Sequence, residues 1–420
     1  MKIGVIADDF TGATDAASFI VRGGLSAIQL SGVPTAAFEH EADALVVSLK
    51  SRSCPVEEAV RESVNACHWL LAQGCELIYF KYCSTFDSTS KGNIGPVTKA
   101  LMDVLCVDRV LYCPSLPVNG RTVYQGHLFV FEQLLSESGM KNHPITPMTD
   151  SNLVRLVEQQ TKGKAGLIDL HVVSNGQLFV ETHIQNLSDN GTQHIVCDAI
   201  SDRDLEVIAR VGRSHRLVTG GSGLVGAIAH ICAQEANSTM TNGGSNSLAN
   251  TYNKGIVLSG SCSEMTNKQV TDYVDKTESL KLDIDRTVSD ESYIDNVLTW
   301  VLNHSDKRYF PMVYATVEPR ELAQIQSTYG EQASVMVEAL FEKLVKNLKV
   351  KGYNTFISAG GETSGTVTQA LKVNAFHVGQ EIAPGVPWMQ SLDGDLKLAL
   401  KSGNFGDKGF FSKAQELLNE

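Results

Sequence analysis

The sequence predicts an α/β protein of two domains, each a largely parallel sheet flanked by helices. Short apolar runs alternate with helical patterns from the first residues onward, the βαβ rhythm that makes strands run parallel. At 420 residues the chain is longer than one hydrophobic core normally organises. The stretch 234–253 is polar and rich in Asn, Ser, Thr and Gly, and the strand–helix pattern starts afresh beyond it. The expected domains are therefore 1–236 and 254–420, joined by a linker over 237–253.

The first strand is Ile3 to Ala7, an uncharged apolar run of the kind buried on both faces of a parallel sheet. It stops at Asp8 and Asp9. Thr11 can cap the helix that follows, Gly12 allows a tight turn, and Gly23 and Gly24 end that helix. Strands are expected at Ala27 to Leu30, Ala44 to Leu49, Glu76 to Tyr82 and Arg109 to Cys113. Between them lie a helix from Pro55 to Gly74, with Val56, Val60, Val64, Cys67 and Leu71 as its core stripe, and a helix from Asn93 to Cys106. The pattern continues with strands at Leu167 to Val173 and His194 to Cys197, a helix at Asp202 to Arg213, and a strand at Leu217 to Gly220.

That last strand runs into Gly221-Ser222-Gly223-Leu224-Val225-Gly226, a literal G-x-G-x-x-G. A dinucleotide fold would need an acidic strand end about 20 residues later. The chain there is Asn242-Gly243-Gly244-Ser245. These glycines read as close helix–strand packing, and an NAD-dependent dehydrogenase is the weaker alternative. In the second half, strands are expected at Gly255 to Ser259, Met312 to Thr316 and Thr355 to Ala359, with helices at Glu264 to Lys276, Tyr293 to Asn303 and between Glu331 and Val350.

Composition narrows the function classes. With 43% hydrophobic and 20% charged residues the chain is ordinary for a globular protein, and its formal net charge of −12 argues against non-specific nucleic-acid binding. The nine cysteines are scattered and never spaced C-x-x-C, which argues against a disulfide framework or a zinc ribbon; most are expected to be small buried hydrophobes. His127, His171, His183 and His230 show no metal-ligand spacing. Met1-Lys2 leads straight into the first strand and no apolar run reaches membrane-spanning length, so a cytoplasmic protein is expected, with no membrane partner. The sequence leaves a homo-oligomer open.

Ligands of open α/β sheets bind at the carboxyl ends of strands. Asp8 and Asp9 stand at such an end, as catalytic carboxylates or as plain helix caps. Lys81, in Lys81-Tyr-Cys-Ser-Thr-Phe-Asp-Ser88, and Arg121, in Pro114-Ser-Leu-Pro-Val-Asn-Gly-Arg-Thr122, follow two further strands. As a point charge and a fork they suit an anionic substrate; the alternative is a pair of surface cations. In the second half, Leu258-Ser-Gly-Ser-Cys-Ser263 and Gly360-Gly-Glu-Thr-Ser-Gly365 each follow an apolar strand and precede a helix. Glycines admit phosphate oxygens to backbone N–H groups, and a helix N-terminus favours negative charge. Neither loop matches G-x-x-x-x-G-K-[ST].

The string Ala7-Asp8-Asp9-Phe10-Thr11-Gly12-Ala13-x-Asp15 resembles the opening signature of the four-carbon acid sugar kinases, which phosphorylate tetronate-type acids with ATP. Ser259-Gly-Ser-Cys-Ser-x-Met-Thr266 and Gly360 to Gly365 resemble the nucleotide motifs of the same family, and the likeness runs from Ile3 to about Phe410. The string Lys81-Tyr-Cys-Ser-Thr-Phe-Asp-Ser-Thr-x-x-Gly-Asn-Ile-Gly-Pro96 is most similar to its oxo-tetronate branch, with the D-threonate and D-erythronate kinases nearest. The resemblance implies an N-terminal acid-sugar domain, a C-terminal nucleotide domain and an active site in the interdomain cleft. It implies a catalytic Asp8 or Asp9, substrate contacts at Lys81, Asp87 and Arg121, and ATP contacts at Ser259, Gly360, Gly361, Glu362, Thr363 and Gly403. Mg2+ is expected on the phosphates, with no ligands identifiable from sequence. A non-catalytic sugar-acid sensor is the remaining alternative.

Overall fold

The computed structural model describes residues 1–35, 37–143, 145–237, 254–305 and 308–418. The chain divides into two compact units, Met1–Gly244 and Ser245–Glu420. Of the linker expected over 237–253, only Asn237 is among the described residues.

The first unit runs β1 (Ile3–Ala7), α1 (Phe10–Arg22), β2 (Ala27–Ser31), β3 (Ala44–Ser48), α2 (Val56–Ala72), β4 (Leu77–Lys81), α3 (Ile94–Leu105) and β5 (Val110–Cys113). Three short strands follow, β6 (Arg121–Tyr124), β7 (His127–Val130) and β8 (Gln133–Leu134), forming a small antiparallel sheet of their own. The unit ends with α4 (Leu153–Thr161), β9 (Ala165–Ile168), α5 (Leu170–Ser174), α6 (Gln177–Asp189), β10 (His194–Cys197), α7 (Asp202–Gly212), β11 (Leu217–Gly220) and α8 (Ser222–Asn237). The main sheet has the order β2-β3-β1-β4-β11-β5-β10-β9 and every pairing in it is parallel. All five residues of each of β1, β3 and β4 are buried, as their unbroken apolar runs require.

One expected strand is shorter than its apolar run. Leu167 to Val173 reads as a strand, but β9 stops at Ile168 because Asp169 accepts the Val172 N–H at 2.9 Å and starts α5. The glycines of the G-x-G-x-x-G string pack as expected. A Cβ on Gly221 would lie 2.6 Å from the Pro114 carbonyl oxygen and one on Gly223 2.8 Å from that of Ser115. Gly226 lies against Phe19 of α1, letting α1 and α8 approach closely. Of the nine cysteines, all free, four are buried, fewer than composition led one to expect.

The second unit runs β12 (Gly255–Ser259), α9 (Glu264–Val274), β13 (Ser279–Lys281), α10 (Ile284–Ser289), α11 (Tyr293–Asn303), β14 (Met312–Tyr314), α12 (Pro319–Tyr329), α13 (Gln332–Val350), β15 (Thr355–Ala359), α14 (Gly361–Leu371), β16 (Ala375–Ala383), β17 (Val386–Ser391), β18 (Lys397–Lys401) and α15 (Phe410–Glu416). Its strands follow the order β13-β14-β12-β15-β18-β17-β16. Pairing is parallel from β13 to β18 and antiparallel along β18, β17 and β16. Trp388, buried in this unit's core, gives its indole N–H to Ala414 O at 2.9 Å and so ties β17 to α15.

Each unit has one topological switch point. In the first, the chain leaves β1 toward β2 on one side, while it leaves the neighbouring β4 toward β5 on the other. In the second, β12 leads to β13 on one side and its neighbour β15 leads to β16 on the other. The strand ends diverge there, opening a crevice at the carboxyl edge.

Candidate active site

At the first switch point β1 ends at Ala7, and Asp8 and Asp9 turn the chain into α1. Asp9 caps that helix, its Oδ1 accepting the Gly12 N–H at 2.6 Å. A Cβ on residue 12 would sit 2.4 Å from that oxygen, so the cap is tight because residue 12 is glycine. The cap accounts for one carboxylate oxygen. The others meet a residue that no motif marks. Arg52, in the loop after β3, donates Nε–H to Asp8 Oδ2 at 2.9 Å and Nη2–H to Asp8 Oδ1 at 2.8 Å, a bidentate pair. Its Nη1 lies 3.0 Å from Asp9 Oδ2 and 3.8 Å from Asp87 Oδ2. One guanidinium therefore gathers three carboxylates.

Burial raises the Asp8 carboxyl above its ordinary range, with the Arg52 guanidinium pulling against that rise and the Asp9 charge adding to it. Burial also works against the charge on Arg52, but Asp8 and Asp9 outweigh it and hold its pKa above the ordinary value. The Arg52 loop is fixed from below by Asn93, whose amide donates to Ser51 O at 2.8 Å and Cys54 O at 2.9 Å. Asp87 is fixed by Thr85, whose hydroxyl donates to its Oδ1 at 2.6 Å, and by a left-handed turn at the buried Phe86, φ 57°. A bulky residue holds that conformation only where its surroundings impose it. Asp8, Asp9, Arg52 and Asp87, with Lys50 and His143, line a cleft of about 360 Å3.

Lys81 and Arg121 stand apart from this wall. Lys81 is buried, donates from Nζ to Tyr82 O at 2.9 Å, and lies 4.0 Å from Asp15 Oδ2, which also receives the Ser222 hydroxyl. The last aspartate of the opening motif thus ties α1, β4 and α8 together. Arg121, on β6, donates to Asn119 O and stacks on Phe131, with 5.5 Å from its guanidinium carbon to the ring centroid; its Nε is buried without a hydrogen-bond partner.

At the second switch point two loops meet. Gly260 N and Ser261 N both donate to Ala359 O at 3.1 Å, and Gly360 N donates to Lys401 O at 2.9 Å. Gly360 has φ +131°, a conformation only glycine adopts readily, and α14 begins one residue later. Gly361 is exposed, with nothing within 4 Å of where a side chain would start, whereas Thr363 is buried and donates to Glu338 Oε1 at 3.0 Å. The Ser259 hydroxyl lies 2.7 Å from that of Thr316 and is buried. Gly403 packs on the Ser261 and Ser263 hydroxyls, 2.6 and 2.8 Å from the position of a Cβ.

Residues 260–262 and 360–363 form one side of a cavity of about 960 Å3. Ile284, Val317, Leu322, Ile325 and Val337 form another side. A polar end rich in backbone N–H groups beside an apolar end suits a nucleotide, with phosphates at the first and base at the second. The glycine cradle and the helix N-terminus fit ATP. The apolar side, drawn partly from α10 and α12, carries no motif, which is why the sequence did not reveal it. Ser259 and Gly403 lie behind the loops rather than on the cavity wall. Among the described residues no group of three or more His, Cys, Asp or Glu is arranged to hold a metal ion. No helix among them is long and apolar enough to cross a membrane.

Residues 3–228 match the model of a sugar-binding N-terminal domain, and residues 256–411 that of a nucleotide-binding C-terminal domain. The chain is 50% identical to the 3-oxo-tetronate kinase of Pectobacterium atrosepticum, covering 99% of each chain. It is 51% identical to the 3-oxo-tetronate kinase of Haemophilus influenzae over 98% of this chain and 99% of that one. A crystal structure of a Haemophilus influenzae protein superposes with a TM-score of 0.90 at 50% identity, covering 99% of this chain and 100% of the other.

Proposed function

The chain belongs to the four-carbon acid sugar kinase family, among relatives that are 3-oxo-tetronate kinases, and from that premise we propose that it transfers the γ-phosphoryl group of ATP to the C4 hydroxyl of 3-oxo-tetronate. The observation that carries this reading is the contrast between the two switch points. One gathers carboxylates that can orient or deprotonate a hydroxyl; the other offers glycine loops and a helix N-terminus for polyphosphate. The NAD alternative loses its support, because the Gly221–Gly226 string is taken up by packing.

The 360 Å3 cleft holds the sugar acid, with Asp8 or Asp9 on the attacking hydroxyl and Asp87 beside them. Arg52 keeps that carboxylate cluster together and has two N–H groups beyond its three contacts to Asp8 and Asp9. The positive charge of Lys81 favours the ionised form of Asp8, and Arg121, whose side chain lies outside the cleft lining, is assigned to the substrate carboxylate on the family resemblance alone. ATP lies along the larger cavity, its phosphates on residues 360–363, with Ser259 and Gly403 backing the loops. Mg2+ would accompany the phosphates and neutralise part of their charge. In-line transfer needs donor and acceptor about 3–3.5 Å apart, so catalysis is mainly by positioning.

A coupled ADP-release assay tests the proposal with 3-oxo-tetronate, D-threonate and D-erythronate as acceptors. The highest kcat/KM is expected with 3-oxo-tetronate. A preference for either of the other acids reassigns the substrate, and no ADP release with any of them removes the kinase reading.

A further inference from the structure

β18 ends in a lysine that no motif assigns. Lys401 is buried, with 1% of its surface exposed, at the carboxyl edge beside β15. Its Nζ donates to Ser402 O at 3.0 Å, Gly403 O at 2.9 Å and Thr266 Oγ1 at 3.1 Å. Those bonds use all three ammonium hydrogens, and all three acceptors are uncharged. The Thr266 hydroxyl in turn donates to Gly403 O at 2.7 Å and accepts from Ser263 Oγ at 3.0 Å, so its own capacity is filled too. The ammonium is completely hydrogen-bonded, yet no negative charge in this network neutralises it.

Its position gives that charge a use. The peptide of Lys401 accepts Gly360 N–H at 2.9 Å, where the residue 360–363 loop begins. The turn that it props packs through Gly403 onto Ser261 and Ser263 of the other loop. Both cavity-lining loops thus rest on the segment that holds the ammonium.

We propose that Lys401 is the positioning cation of the nucleotide site, fixing the 402–403 turn from behind and setting a buried positive charge under bound polyphosphate. The inference rests on the ATP reading above and deepens it. A buried cation held by neutral oxygens is costly until an anion arrives, and binding the anion then stabilises both charges. Burial pushes the Lys401 ammonium down to about 7, so the free protein releases much of this proton above neutrality and polyphosphate draws it back. Other titratable groups on the elements around it include the exposed Glu264, Lys268, Glu362, Asp407 and Lys408, the buried Lys397 at the other end of β18, Asp272 and Tyr273 of α9, Lys413 and Glu416 of α15, and Glu338, which accepts from Thr363. None hydrogen-bonds the ammonium.

The test is calorimetric titration of the full chain with Mg-ATP and with adenosine, in buffers of different ionisation enthalpy at pH 6 and pH 8. Wild-type protein is expected to take up close to one proton per ATP at pH 8, little at pH 6, and none with adenosine at either pH. Lys401→Met is expected to lose that uptake and to weaken Mg-ATP binding roughly tenfold or more, with adenosine affinity unchanged as the sign of an intact cavity. Mg-ATP binding without proton uptake at pH 8 in the wild type overturns the inference and leaves the kinase reading standing. So does a variant that keeps wild-type affinity and uptake. Failure of the wild type to bind Mg-ATP overturns both.

Discussion

Under the proposed function the two units meet the same problem, an anionic ligand at the carboxyl edge of a parallel sheet, with different charge designs. In the first unit three carboxylates crowd one guanidinium, which lies within 4 Å of each of them. In the second, the loops are mainly glycine and hydroxyl, with Glu362 exposed on one of them, and the buried ammonium of Lys401 behind them is coordinated by neutral oxygens. The difference follows from what each must bind. A carboxylate cluster would repel a triphosphate, whereas backbone N–H groups and a helix N-terminus attract it without a matching negative side chain. A hydroxyl that must lose a proton needs a carboxylate, and a carboxylate at the bottom of a cleft needs a cation to keep it charged.

The sharpest way to break the comparison is to remove a charge from the carboxylate cluster while preserving shape. If one aspartate orients or deprotonates the C4 hydroxyl, its Asn variant should lower kcat by about 10²–10⁴-fold with KM nearly unchanged. Asp9→Asn retains an oxygen to cap α1, so a fall in kcat there is not a capping effect worth ~1 kcal/mol. Near-normal kcat in both Asp8→Asn and Asp9→Asn moves the base to Asp87.

Next in size is Arg52→Met. It keeps much of the length and removes the cation from three carboxylates, two of them buried. Breaking a buried pair this way should cost on the order of 3–5 kcal/mol of stability in the first unit. Denaturant unfolding measures it. A loss below ~1 kcal/mol would mean that the aspartates are solvated or protonated and that Arg52 does not hold the cluster together. Arg121→Ala tests the substrate side and should mainly raise KM, by on the order of 2–4 kcal/mol if it clamps the carboxylate. An unchanged KM assigns that work to Arg52 or Lys50.

In the second unit, Gly361→Val puts a branched side chain where the fold leaves open space, so folding should be untouched. The phosphates that we place there would lose N–H contacts, and Mg-ATP affinity should fall by ~1–3 kcal/mol with sugar-acid binding unchanged. Equal affinity in calorimetry takes that helix terminus out of the site.

How much was legible in the sequence divides along the same line. Strands such as Ile3–Ala7 and Thr355–Ala359 are unbroken apolar runs, and the loops after them carry glycines and hydroxyls whose chemistry is local. Asp8, Asp9 and the loop that begins at Gly360 could therefore be marked as candidates from order alone, whereas Asp87 came from the family resemblance. Arg52 could not, because nothing local marks Ser51-Arg52-Ser53; it matters because β3 pairs with β1, a fact of sheet order. Asking which loops follow the strands beside β1 would have found it. The apolar nucleotide wall was hidden for a related reason, since α10, α12 and α13 contribute scattered residues that look like ordinary core. Lys401 lies two residues before Gly403, but only the fold shows that its ammonium is turned inward.

The smallest effect, and the one that would sharpen the contrast most finely, is the pH response of each unit. In the first, His194 is buried with Nδ1 3.0 Å from the Tyr112 hydroxyl, and burial pulls its pKa down to about 4. Its ordinary value is 6.5, so below that pH the unfolded chain binds a proton that the folded unit refuses. Stability from this group is complete above pH 6.5 and is lost as pH falls toward 4. In the second unit the folded Lys401 titrates near 7 and the unfolded one near 10.5, so stability rises as pH climbs through that interval. One pH unit inside either window is worth at most ~1.4 kcal/mol, or about 3–6 °C in Tm for a unit of this size. Hydrogen exchange of β10 amides should therefore speed up from pH 6.5 to 5.5, after correction for the intrinsic rate, while β18 amides hold. From pH 7.5 to 8.5 the β18 amides should gain protection while β10 amides hold. His194→Gln should abolish the first response and Lys401→Met the second. If both segments respond in the same window, the two units unfold as one and their charge designs are not thermodynamically separable.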